Sequence, residues 1–216
     1  MTTTVFTRNT ATSAAEAAAI TPRAEFRVFG QGIIAAIQPR LWNGKTVLQA
    51  ARTMPTETYF LSRLTREANV KVRDGLLDIK VKVGQTAEGY EIFQPKGKFQ
   101  FPVTTDEAAC IEARLHVQLP ESIAFLETIT VDAFLAMAVA HPNLVPVRVE
   151  KMRWGFTIDG IICEYAQVYF NGALLESACV ESDNYSGMRD VIDGLGLADR
   201  QNTSYLSAAA HVLGIG

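Results

Sequence analysis

The chain has 216 residues, 48% of them hydrophobic and 20% charged, a globular composition long enough to bury a core without disulfides or structural metal, so chain-wide disorder is excluded. Its formal charge of −3, from 20 Lys and Arg against 23 Asp and Glu, argues against a global polyanion-binding surface and for no nucleic-acid partner, while leaving room for a local basic site. No apolar run is long enough to cross a membrane as a helix, and the three cysteines, Cys110, Cys163 and Cys179, fit no zinc spacing and point to a reducing, cytoplasmic setting.

Residues 1–21 are rich in Thr, Ala and Ser, lack the apolar stretch of a secretory signal, and are expected to fray. Residues 22–216 are expected to form one domain. Arg23 to Phe29 alternates polar and apolar side chains, the period of a strand, and Gly30 and Gly32 end it. Ile33 to Ala51 reads as an irregular or helical connection. Glu57 to Ser62 reads as the next strand. Asn69 to Val83 reads as a hairpin, because Asp74-Gly75 is a favoured two-residue turn between aliphatic alternations. A strand from Tyr90 to Gln94 is expected to be interrupted by Pro95 and Gly97.

From Thr105 to His141 alanine, leucine and glutamate dominate. Two helices are expected, divided near Pro120, with the second running from Glu121 to Ala140. A three-stranded meander follows: Val145 to Thr157, Ile161 to Phe170 and Ala173 to Asp183, joined by Asp159-Gly160 and Asn171-Gly172. Gly187 to Leu197 and Ser204 to Leu213 read as closing helices.

Strand periodicity sorts the side chains by face. Arg23, Glu25 and Arg27 share one face of the first strand. Asn69, Lys71 and Arg73 share one face of the hairpin, and Asp78, Lys80 and Lys82 one face of its return arm. Lys151 and Arg153 share a face in the meander; so do Cys179, Glu181 and Asp183. The opposite faces are aliphatic. Solvated outer faces would explain any one of these strands, and a plain β-rich interaction protein is one reading of the set. About eight strands are enough to close a barrel, however. With helices on the aliphatic side, the charged face lines the interior, where Arg23, Arg27, Lys71, Arg73, Lys80, Lys82, Lys151 and Arg153 form a receptor for an anionic small molecule.

In this order the residues resemble the CYTH domain, the triphosphate tunnel metalloenzyme fold of class IV adenylyl cyclases and thiamine triphosphatases. The resemblance spans Arg23 to Leu213. It rests on Glu25-Phe-Arg27, Glu57-Thr-Tyr59-Phe60, Val70-Lys-Val-Arg73 with Leu77-Asp-Ile-Lys80, Glu91, Lys151-Met-Arg153, Glu164 and Glu181. It implies an α+β fold: an eight-stranded antiparallel barrel forming a tunnel, with helices packed outside. It also implies a phosphohydrolase acting on a triphosphate or related organic phosphate. Glu25, Glu91, Glu164 and Glu181 would hold Mg²⁺ or Mn²⁺, and Glu25, Lys80 and Glu164 would act at the reacting group. Two departures qualify that implication. Arg23 stands where the family has a glutamate, and Cys179 stands in place of one acid of the last strand. Both remove a metal ligand, which motivates the alternative of an anion-binding protein, or one with another reaction, lacking the full metal site. An open sheet edge or helix face would allow a homodimer.

Overall fold

The computed structural model describes residues 22–121 and 126–215. Its strands are β1 (Arg23–Gly30), β2 (Thr46–Thr53), β3 (Glu57–Ser62), β4 (Ala68–Arg73), β5 (Leu76–Gln85), β6 (Glu91–Gln100), β7 (Val103–Thr104), β8 (Thr128–Ile129), β9 (Leu144–Ile158), β10 (Ile161–Phe170) and β11 (Ala173–Ser182). Its helices are α1 (Ile33–Leu41), α2 (Thr105–Leu115), α3 (Val131–Ala140), α4 (Tyr185–Gly194) and α5 (Tyr205–Val212).

The strands run β10-β11-β1-β6-β5-β4-β3-β9, and β9 pairs back onto β10, so eight antiparallel strands close a barrel. This is the fold class expected from the sequence. The expected turns form as well. Asp74, Asp159 and Asn171 take φ near +50° and are followed by Gly75, Gly160 and Gly172, also at positive φ, the conformation a two-residue hairpin turn needs.

The periodicity places the helices. Ala24, Phe26 and Val28 of β1 and the outward residues of β9, β10 and β11 pack against Ile33 and Ile37 of α1 and Met188, Val191 and Ile192 of α4. Val70, Val72, Leu77 and Ile79 of the β4–β5 hairpin pack against Ile111 of α2 and Phe134 and Met137 of α3. A third cluster lies inside the barrel. Leu61, Val147, Val149, Val168 and Phe170 face inward at one end, and α5 lies across them with Leu206 and Ala208–Ala210. Its three alanines allow that close approach, and the end so covered is filled. At the other end Arg23 and Arg73 reach solvent. The tunnel is thus a cup.

Four local expectations are corrected. Ile33 to Ala51 contains a helix and a ninth strand, β2. β3 covers only Leu144–Val149 of β9's edge, and β2 takes the remainder from Met152 to Ile158. β6 continues through Pro95 and Gly97, because the register shifts on β5 opposite them and a proline's missing donor is tolerated at such a bulge. α2 ends at Leu115, where His116 adopts a left-handed conformation and donates its N–H to the Glu112 carbonyl. The expected Glu121–Ala140 helix is not continuous: β8 interrupts it at Thr128–Ile129 and α3 starts afresh at Val131, capped by Thr130, while residues 122–125 lie outside the described residues. The N-terminal tail lies outside the described residues.

Candidate functional site

The inward faces of β1, β3, β4, β5, β9, β10 and β11 enclose a cavity of about 290 Å³. Lining it are six cations, Arg27, Lys71, Arg73, Lys80, Lys151 and Arg153, and four acids, Glu25, Asp78, Glu164 and Glu181. Tyr59, Asn69, Phe93 and the start of α5 (Ser204, Tyr205, Leu206) complete the wall. A second cavity of about 380 Å³ shares Glu25, Lys80, Phe93 and Glu181 and adds Arg23 and Asp183 toward solvent.

Two charged clusters organise the interior. In the first, the Glu57 carboxylate, 1% exposed, accepts from Lys71 Nζ at 2.8 Å, Arg73 Nη1 at 3.1 Å and Lys151 Nζ. Lys151 also donates to the Tyr59 hydroxyl at 2.9 Å and lies 4.2 Å from the centre of the Tyr205 ring. Burial pushes the Glu57 carboxyl up, but Lys151 and Lys71 outweigh it and hold it at about 2. Burial pulls Lys151 down to about 8 against the attraction of Glu57, and burial likewise lowers Lys71.

In the second cluster Arg27, 6% exposed, donates Nε to Glu25 at 2.8 Å and Nη1 to Glu164 and to Ser177 Oγ, both at 3.2 Å. Arg153 pairs with the other Glu164 oxygen. Burial raises the Glu25 carboxyl, yet Arg27, with Lys80 and Lys151, brings it below its ordinary value. Fixed in this way, the Arg27 fork bridges β1, β10 and β11.

The positions expected from the sequence divide into three groups. Arg27, Lys71, Arg73, Lys80, Lys151 and Arg153 line the cavity with Glu25, Glu164 and Glu181. Arg23 sits at the outer cavity, paired with Glu181 at 3.4 Å. Lys82 and Glu91 pair with each other at 2.9 Å and line neither cavity. With 11% and 8% of their side chains exposed, Lys71 and Lys151 do not belong to a solvated outer face. None of Glu57, Tyr59 and Tyr205 is among the site residues expected from the sequence. Alternation along β3 does put Glu57 on the face of Tyr59, but which bases meet it depends on strands far away in the chain.

The four acids expected to hold Mg²⁺ or Mn²⁺ are arranged differently from a metal site. Glu91, Glu25 and Glu181 stand abreast on β6, β1 and β11. Each is taken by its own cation: Lys82, Arg27 and Arg23 respectively. Glu164 is shared by two arginines. Among the described residues no three acid, His or Cys side chains converge to hold an ion, and a hard divalent cation needs several free oxygens. As arranged, these residues do not fit a metal. Cys179 lies inside, in register with Arg27 and Glu164, and Cys163 faces the outer core; burial raises both thiols, Cys163 to about 12, which leaves neither reactive. No helix among the described residues is long and apolar enough to cross a membrane.

No family model and no curated protein matches the chain. Solved structures similar to it include a Pyrococcus horikoshii protein at 16% identity and TM-score 0.47, covering 84% of this chain and 97% of its own. A candidate adenylyl cyclase from Hippeastrum, described as having a dominant triphosphatase activity, is similar at 10% identity and TM-score 0.47, covering 89% and 96%. A candidate adenylate cyclase from Bacillus halodurans is similar at 10% identity and TM-score 0.42, covering 86% and 96%.

Proposed function

We propose that the barrel is a receptor for a small phosphate-bearing anion, with triphosphate and organic phosphates as the ligand class. The observation that carries this reading is the Glu57 cluster: three cations gather on one buried carboxylate, an excess of two positive charges beside a cavity. An entering polyanion supplies the missing counter-charge where water screens poorly. Lys71, Lys151 and Arg73 offer N–H donors to its oxygens, and Arg153 extends the donor wall toward β10. Lys80, exposed at the junction of the two cavities, meets the ligand on entry. The Arg27 fork keeps Glu25 and Glu164 from turning their charge freely toward it.

The test is a thermal-shift series with inorganic triphosphate, ATP, thiamine phosphates and small carboxylates, each with and without Mg²⁺ or Mn²⁺. A ligand bound only by the folded state raises the melting temperature. Triphosphate is expected to raise it without added metal, and acetate is not. No shift with any polyanion overturns the reading.

A second reading, a Mg²⁺- or Mn²⁺-dependent phosphohydrolase, is favoured by the carboxylate row of Glu91, Glu25 and Glu181. It requires Lys82, Arg27 and Arg23 to release those acids. Stabilisation by triphosphate only in the presence of metal, with phosphate released, would establish it over the first.

A further inference from the structure

We infer that this cavity distinguishes among phosphates, selecting an organic phosphate that carries a hydroxyl or amino proton, and that Asn69 is the residue that reads the proton. The inference rests on the reading of the cavity as a phosphate site and adds which phosphate it prefers.

Among the described residues, the buried side-chain polar atom left without a hydrogen-bond partner is Asn69 Oδ1, and Asn69 lines the cavity. A buried acceptor with nothing to accept from destabilises a fold, so such an atom calls for an occupant. Its partner directly across the β4–β5 ladder is Lys80. Lys80 lines the same cavity and makes no ion pair among the described residues. A lone acceptor and a lone cation therefore stand side by side, with Cβ atoms about 5 Å apart as cross-strand neighbours are. The other cavity cations that flank them, Lys71 and Arg73, are already engaged by Glu57.

That pair matches a ligand with an anionic oxygen and, a few bonds away, a neutral O–H or N–H. The anionic oxygen meets Lys80 and the donor meets Asn69. A fully ionised inorganic polyphosphate carries only acceptors and leaves Asn69 Oδ1 facing another oxygen. Phe93, which lines both cavities, gives the carbon part of such a ligand an apolar wall. The competing occupants are a bound water and a phosphate that retains its own proton, and the test separates them.

Calorimetry would compare sn-glycerol 3-phosphate with propyl phosphate, equal in anion and differing in hydroxyls, with inorganic triphosphate as the reference for the site. Wild type is expected to bind the glycerol ester roughly fivefold to tenfold more tightly, as one net hydrogen bond gives. The preference is expected to hold at pH 9, where both esters are dianions, and to vanish in Asn69→Leu. Asn69→Asp keeps an acceptor there and is expected to retain the preference while weakening every phosphate. A wild-type circular-dichroism spectrum and a cooperative melting transition verify the fold of Asn69→Leu. Equal binding of the two esters by wild type, as when water satisfies Asn69, overturns the inference while leaving the phosphate site standing. A preference confined to low pH overturns it too, since the phosphate's own proton is then the donor, and loss of preference in Asn69→Asp assigns the contact to the amide N–H and overturns it. If triphosphate does not bind wild type, the underlying reading fails and the inference with it.

Discussion

At the scale of single residues, Glu57 has the most leverage on this molecule. Its carboxyl lies at about 2 in the fold against an ordinary value of 4.5. A group lowered in this way contributes stability that is complete above the unfolded value and is lost as pH falls through the folded one. Acid unfolding monitored by circular dichroism is therefore expected to draw a Glu57 contribution between about pH 4.5 and 2. Lys151 works in the opposite sense: its folded value near 8 lies below the ordinary 10.5, so the unfolded chain binds more protons between those limits and this residue's contribution rises with pH there. Glu57→Gln leaves Lys71, Arg73 and Lys151 facing one another, and a broken buried network of this kind is expected to lose about 3–5 kcal/mol in denaturant unfolding. Added phosphate should restore part of that loss by taking the place of the carboxylate.

Elements show where local signals end. The β9–β10 and β10–β11 hairpins are written in their turn dipeptides. Gly172 has φ +89° and open space where a Cβ would stand, so Gly172→Ala is expected to lose about 1–2 kcal/mol from backbone conformation alone, read by thermal unfolding. α5 is a different case. Its apolar pattern announces a helix, but nothing local says that it will lie across a barrel end. There Ala209 is fully buried among Val147, Val149 and Phe170. Ala209→Leu is expected to overpack that contact and lose about 1–3 kcal/mol in the same assay. β2 lacks clean alternation; Thr46–Thr53 becomes a strand because β9 outruns β3 and leaves an edge to be paired.

For the whole molecule, the arrangement inverts the usual soluble sheet: helices cover the aliphatic faces and the charged faces turn inward. The net charge of −3 thus conceals a cavity lined by six cations against four acids. Lys151→Met tests that interior directly. Glu57 keeps Lys71 and Arg73, so the fold is expected to persist. Triphosphate affinity, measured by calorimetry, should fall about tenfold, the effect of one charge-assisted contact.

The sequence by itself determined the eight barrel strands in outline, though not β2 or the run of β6 past Pro95, together with their hairpin turns and which side chains share a face, because a period of two and a turn dipeptide are properties of neighbouring residues. Inward placement of Arg27, Lys71, Lys151 and Glu164 follows from those faces once a barrel is assumed. Only the tertiary structure decided how the charges are matched. Glu57 meets Lys151, 94 positions away, and Arg27 meets Glu164, 137 positions away. Barrel closure sets those encounters. The same long-range pairing of strands decided that Glu181 is held by Arg23, 158 positions away, that α5 fills one end, and that Asn69 is left with an acceptor unmet. Pairing energies depend on distance and burial, and neither exists in the chain until distant strands share a wall.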